Sequence, residues 1–357
     1  MAFNPFTTRT MLELVKAGQK TSNTFLRDRY FQTRQSFSTE YVDFDLVGIG
    51  GRRIAPFVNP KVGGTVVSRE GYTTLSYRPP EVSPMRVTTA EDCLMRRPGE
   101  NLYSSRSPEQ RAAEILGQDL SDLDDIISRR EEAMCAEALF TGQIRVKGDG
   151  YDETVKYWSQ LEAKDQPKTT LTTKWDDSSI DAVAIMRDIQ TIRRGMVQIG
   201  GFTPREMIVG SKVADVLIEK FAKSEVLNNR RVVLGQIDPH MLGDGVGYLG
   251  NLAGPGIDIY TYDEWYVDED GVEKPMVPEK GVLLAASGVR TMIAYGCTAV
   301  KTTGASGEAL RFYAEPRVPA TWVQEMNPSG RIVQIKSRPL PIIQQIYGFH
   351  VVDALTA

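Results

Sequence analysis

The 357 residues carry 42 lysines and arginines against 46 aspartates and glutamates, a net charge of −4, with 41% apolar side chains; this is an ordinary globular composition, long enough for a large core and two domains or more. No run of eighteen or more apolar residues occurs and the amino terminus lacks the order of a secretory signal, which argues against a membrane span or export through the general pathway. Cys93, Cys135 and Cys297 are odd in number and far apart, so neither a disulfide framework nor a paired-cysteine metal site is expected; they predict reduced thiols in a cytosolic setting, with Cys135 a small buried hydrophobe.

The charge is unevenly placed. Residues 1–42 hold six basic and three acidic side chains, residues 50–100 eight and five, and residues 107–141 three and nine. In chain order, Thr10 to Ala17 predicts a short amphipathic helix. The run Phe25, Arg27, Arg29, Tyr30, Phe31, Arg34, Phe37 follows; aromatics interleaved with arginines suit single-stranded nucleic acid or a protein interface, and the interface is favoured. Tyr41 to Leu46 alternates like an exposed strand. From Arg52 to Tyr103 prolines break any helical period, and Thr65 to Arg69 with Tyr72 to Arg78 read as a long hairpin around Glu70-Gly71. Ordering a residue costs about 1 kcal/mol or more, so such a loop with little to bury needs a partner surface. Seven of its eight basic residues are arginine, suited to bidentate pairing with carboxylates.

Ser107 to Gly142 reads as one long helix. Ser107, Pro108 and Gln110 form a capping box, Leu116, Leu120, Leu123, Ile127, Met134 and Ala138 make one stripe, and Gly142 supplies the left-handed exit. At 1.5 Å per residue this spine would be roughly 50 Å long. Asp125 and Arg129, four apart, can pair on it. Beyond it come a hairpin around Gly148-Asp149-Gly150, a helix from Ser178 or Ser179 closing near Gly195, a strand at Glu206 to Val209 and a helix at Lys212 to Phe221. Next are a strand at Ile257 to Tyr262, a hairpin turning at Asp270-Gly271, and strands at Val282 to Ala285 and Thr291 to Tyr295. After a flexible loop at Gly304 to Gly307, strands return at Ile332 to Lys336, Leu340 to Ile343 and Ile346 to Val352, with Pro339 and Pro341 confining one to an edge.

A catalytic centre does not emerge. His240 and His350 are the only histidines; one lies in a turn after Asp238-Pro239 and the other inside a terminal strand, where both read as structural. Gly245-Val246-Gly247-Tyr248-Leu249-Gly250 has the dinucleotide-loop form without the strand and helix that form requires, and is taken as a flexible glycine-rich loop. Asp268-Glu269-Asp270-Gly271 lacks the remaining spacing of a calcium loop. Acid pairs such as Asp124-Asp125 and Glu131-Glu132 read as solvating groups of an exposed helix. No cofactor, metal or catalytic residue is assigned, and an enzyme is not expected.

The order of these elements resembles the major capsid proteins of tailed bacteriophages with the Hong Kong 97 fold, and in detail the phage lambda major capsid protein E family. The likeness is carried by Val58-Asn59-Pro60 through Gly64, Arg78-Pro79-Pro80, Val82, Tyr266-Val267, Gly271-Val272-Glu273-Lys274, Arg290 and Tyr295-Gly296-Cys297. Near the end it continues in Pro319-Ala320-Thr321-Trp322, Asn327-Pro328 and Gln334 to Leu340. Gln344 to Gly348 stands where the family's Asp-Pro-Asp turn would be.

The resemblance implies an α+β fold with an N-terminal arm (1–48), an extended β-hairpin loop (49–103), a peripheral domain (104–175 and 316–357) holding the spine helix 107–141, and an axial domain (176–315). It implies a capsid protein that self-assembles into hexamers and pentamers of an icosahedral head enclosing double-stranded DNA, first as a rounder precursor. Its partners would be other copies of itself, scaffolding, portal and decoration proteins, and packaged DNA nearby, with no membrane. It would be found in the virion and, during assembly, in the host cytoplasm. The chain starts close to the arm, so a separate scaffold or none is expected. An encapsulin-like nanocompartment is the alternative reading, and a soluble enzyme the third. Charge placement adds an expectation: basic residues of loop and arm (Arg52, Arg53, Arg69, Arg78, Arg86, beside Glu70) clamp the acids of a neighbour's spine (Asp119, Asp122, Asp124, Asp125), with Arg27, Arg29 and Tyr30 as further inter-subunit candidates. The rival is that the acidic face lines the lumen and repels DNA.

Overall fold

The computed structural model describes residues 11, 15, 23–47, 72–96, 106–148, 151–158, 161–162, 165–222, 236–243, 245–304, 307–325 and 329–356. Its longest element is the spine helix, Pro108–Thr141. Ser107 Oγ accepts the Gln110 N–H while the Gln110 side chain accepts the Ser107 N–H, and Gly142 leaves the helix at φ 66°. A side chain at Gly142 is excluded twice, by its backbone and by the Trp158 ring, which a Cβ would meet at 2.1 Å.

The predicted stripe is buried along its whole length. Leu116, Leu120, Leu123 and Ile127 pack with Met11, Val333 and Ile335. Met134, Cys135, Ala138 and Leu139 enter the main core beside Leu26 and Phe31 of the arm. One helix therefore bridges two clusters, which lets it set the angle between the elements on either side.

Beside its carboxyl-terminal half lies a seven-stranded sheet in the order Lys168–Thr170, Phe349–Asp353, Gly281–Ala286, Pro204–Val209, Ile257–Tyr262, Val246–Leu252, Gln236–Gly243. The pleat sorts its side chains. Ile208, Leu283, Ala285 and Val351 join the spine's core. Met207, Val209, Val282, Leu284 and Val352 face the helices Ala182–Ile199 and Ser211–Ala222. Strands from both sides of the expected peripheral–axial boundary thus share one sheet, and the last strand occupies an interior position in it. Two smaller sheets complete the frame: Thr33–Ser36, Thr291–Tyr295 and Pro339–Ile343, with the proline-bearing strand at the edge, and Val318–Gln324, Gly330–Lys336 and Met85–Thr88.

Several expectations change. Tyr72–Tyr77 pairs with Val42–Val47, so its described partner precedes the loop; Thr65 to Arg69 and most of the Thr10 to Ala17 helix lie outside the described residues. Gly245 to Gly250 is no flexible loop: Val246–Leu252 is paired on both sides, with a bulge between Tyr248 and Gly250. Gly247 is needed there because a Cβ would come within 2.4 Å of Thr261 Oγ1. Asp181, not Ser178 or Ser179, caps the Ala182–Ile199 helix through the Ala184 N–H, and that helix runs through Gly195. Gly304 and Gly307 close a regular hairpin, Thr298–Gly304 with Gly307–Tyr313. Met85–Thr88 and a short helix, Ala90–Leu94, give structure to a stretch read as irregular.

Candidate functional site

The polar residues of the spine concentrate at its junction with the arm. Phe25–Tyr30 forms a helix of one and a half turns, too short to stand alone. Its leading amides are taken by the spine: Leu26 N–H and Arg27 N–H donate to Glu132 Oε1 and Oε2 at 2.7 and 2.9 Å. Next to them Arg27 Nη1 donates to Glu131 Oε2 at 2.8 Å. From the far end of the chain Arg317 donates to Glu131 Oε1 and Asp124 Oδ1, both at 2.6 Å, and to Ser128 Oγ at 3.3 Å.

Burial makes this cluster consequential. Arg27 is 3% exposed, and Glu131 and Glu132 are 0% exposed, so the expectation that Glu131-Glu132 solvates an exposed face is wrong. The reason is geometric: their partners come from residues about a hundred positions upstream or nearly two hundred downstream, which no local pattern reveals. Burial by itself raises a carboxyl, but Arg317, with Arg27, holds Glu131 below the usual carboxylate range. Burial pushes Glu132 up to about 7 despite its amide bonds and the nearby Arg27 guanidinium.

The other interface candidates also find partners inside the chain. Arg29 makes a bidentate pair with Glu206 at 2.7 Å per bond, and the Tyr30 hydroxyl donates to the same carboxylate at 2.8 Å. The Arg29 guanidinium lies 4.6 Å from the Tyr260 ring centre. Arg29 and Tyr30 thus meet their own chain, and Arg27 is buried within it. Arg86 does meet the spine acids expected of it, Asp119 at 2.9 Å and Asp122 at 2.7 Å, but in the same chain. Arg78 pairs with Glu40 at 2.6 Å, and Glu40 also takes Arg338 at 2.9 Å. Asp119, Asp122 and Asp124 already have arginines of their own, which weakens the attraction the clamp would draw on. Asp125 makes its own interaction within the chain. Arg52, Arg53, Arg69 and Glu70 lie outside the described residues.

A different surface stands open. In the hairpin Thr298–Gly304 with Gly307–Tyr313, Val300 and Tyr313 pack inward on Val318 and Ala320. Leu310 and Phe312 lie on the opposite face, 66% and 71% exposed. Two large apolar neighbours on one strand face are thus both open to water.

His240 stands on the exposed edge strand Gln236–Gly243, and His350, half-buried, shares a hydrogen bond of 2.8 Å with Thr169 Oγ1.

Residues 7–349 match the family described as phage major capsid protein E. The major capsid protein of Escherichia phage lambda is 26% identical over 343 residues, covering 95% of this chain and 96% of that protein. The major capsid protein of Enterobacteria phage P21 is 26% identical over 363 residues, covering 98% of each. Among solved structures, a prophage protein of Escherichia coli CFT073 assigned to the capsid superposes with a TM-score of 0.68 at 19% identity, covering 100% of both chains. A phage-related protein of Bordetella bronchiseptica RB50 gives 0.53 at 11% identity, covering 97% of this chain and 96% of that one.

Proposed function

The chain belongs to the phage major capsid protein E family, and from that premise we propose that it tiles hexamers and pentamers into the closed icosahedral head of a tailed phage around double-stranded DNA. The observation that carries this reading is the family match over 7–349 on an α+β chain of the Hong Kong 97-like capsid fold. The open Leu310–Phe312 face supports it, because a subunit of a shell needs adhesive surface that its own chain leaves uncovered. Many such modest contacts add up over a closed lattice. Scaffolding, portal and decoration proteins, and assembly in the host cytoplasm, belong to the same proposal.

In this reading the arm (1–48) is fastened to its own subunit, the loop (49–103) is rooted by Arg78, Glu40 and Arg338, and the peripheral (104–175, 316–357) and axial (176–315) parts share the seven-stranded sheet. Arg52, Arg53, Arg69 and Glu70 remain the loop's candidates for a neighbouring subunit. Electron microscopy of the purified protein tests the reading: closed shells of uniform size are expected, and a chain that stays monomeric at all concentrations overturns it.

A further inference from the structure

Four arginines gather at one end of the seven-stranded sheet. The strand Pro204–Val209 begins there, and by alternation Arg205 lies on its helix-bearing face with Met207 and Val209. The helix Ala182–Ile199 leads into that strand start, with Arg193 and Arg194 in its last two turns. Arg290 belongs to the turn after Ala286, whose register partner is Pro204. Arg194, Arg205 and Arg290 are exposed, and Arg193 is half-buried with its Nε lacking any acceptor. Among the described residues no carboxylate pairs with any of the four. The acids nearby are otherwise placed: Glu206 is held by Arg29 and Tyr30 on the opposite face, and Asp165 stands beside Tyr347. The other end of the same strands is acidic. Ile257–Tyr262 runs parallel to Pro204–Val209, so Asp263 and Glu264 lie beyond the finish of both, near Asp215 at the start of the helix Ser211–Ala222. Partial burial and then the Asp215 carboxylate hold Asp263 above its ordinary value. Lys212, the cation on that turn, is committed to Glu279. A six-residue strand sets the two ends about 17–20 Å apart.

We propose that these two ends meet between copies: Arg193, Arg194, Arg205 and Arg290 of one subunit seat Asp215, Asp263 and Glu264 of the next, head to tail around a capsomer. The contact rests on the shell assembly proposed above and gives it a lateral surface. A patch and its complement at opposite ends of one chain make a heterologous contact, which closes into a ring where the rotation allows. The planar fork of arginine suits carboxylates at such a surface, and opposed charges fix the register of the approach. Double-stranded DNA would satisfy the arginines but leave the acids without a cation, whereas a second copy satisfies both.

Charge reversal in the full-length protein, read by electron microscopy and native mass spectrometry, tests the contact. Arg194→Glu, Arg205→Glu and Arg290→Glu together make both ends acidic; Asp215→Lys, Asp263→Lys and Glu264→Gln together make both basic. Each reversed protein alone should stay unassembled where the wild type forms shells. Mixed one to one, alternating copies satisfy every contact of a six-membered ring and leave one like-charged contact in a five-membered ring. Hexamers should therefore return and closed shells should not. Shells from either reversed protein overturn the contact and leave the capsid reading standing; if the arginine variant has also lost salt-sensitive binding to a double-stranded oligonucleotide, those arginines belong to DNA. A mixture of the two folded proteins without hexamers overturns the contact as well. Wild-type protein that forms no oligomer overturns the capsid reading and the contact with it. Should a reversal not fold, Arg194→Gln, Arg205→Gln and Arg290→Gln take its place and should raise the concentration at which shells form by about tenfold, the worth of a few exposed ion pairs; an unchanged concentration overturns the contact.

Discussion

Global stability should conceal two titrations of opposite sign, and removing either should expose the other. Burial pushes His350 down to about 4 from 6.5, so between these values the unfolded chain binds the proton and the folded chain does not. Stability from His350 is complete above pH 6.5 and is lost as pH falls toward about 4, a total of about 3 kcal/mol. Glu132 runs the other way. Its folded value of about 7 lies above the ordinary 4.5, so stability rises by a similar total of about 3 kcal/mol as pH falls through that interval. In the overlap the slopes nearly cancel. Guanidinium denaturation of the dissociated subunit should therefore give a nearly level midpoint from about pH 4.5 to about 6.5. His350→Asn should tilt the profile so that stability climbs on acidification by up to about 1.4 kcal/mol per unit, and Glu132→Gln should tilt it the opposite way. Slopes of the same sign in the two variants, or variant profiles parallel to the wild type, would refute the reasoning.

Arg317→Met leaves Glu131 fully buried without its strongest partner and should cost about 3–5 kcal/mol in chemical denaturation; adding Glu131→Gln should recover part of that loss, which a double-mutant cycle measures. Arg86→Ala removes an exposed pair with Asp122 and a second pair with Asp119, whose side chain is only 12% exposed, and should cost about 1–3 kcal/mol by the same assay, most of it from the carboxylate left unpaired. Phe312→Asp should leave the circular dichroism spectrum of the subunit unchanged and abolish shells in electron micrographs, since it charges a side chain that its own fold leaves 71% exposed.

What local chemistry dictates could be read from the sequence. Ser107, Gln110 and Gly142 bounded the spine to within a residue because capping uses neighbours in the chain, and Ile257–Tyr262, rich in isoleucine and tyrosine, and the short apolar run of Thr291–Tyr295 announced themselves as strands. Gly245 to Gly250 misled because glycines erase the alternation that marks a strand; only the strands on either side, and Thr261 pressing on Gly247, show why they are there. Gly195 reads as a stop, yet a glycine inside a helix costs only about 1 kcal/mol, and Met196 buried one residue later carries the helix on. The arm–spine junction was least visible. Its acids carry the same letters as solvated ones, and what distinguishes them is the arrival of Arg27 and Arg317 from opposite ends of the chain. The excess of acid on the spine was legible, but its destination was not.

That destination bears on what buried ions are for in a subunit of this family. Replacing such a cluster with apolar side chains of similar volume is often neutral or stabilising elsewhere, so stability alone does not account for Arg27, Glu131 and Arg317. Apolar contact between Leu26, Phe31 and the spine holds the arm down but tolerates sliding, because dispersion has little direction. Hydrogen bonds do not tolerate it: Glu132 requires two consecutive amides, Glu131 requires one guanidinium from each end of the chain, and a shift of one residue breaks all of them. In a monomeric enzyme a small error in arm angle would matter little, whereas in a shell it is repeated at every copy and decides whether the lattice closes. The junction fixes direction, and the open Leu310–Phe312 face, which has none of these constraints, is the surface we propose for adhesion.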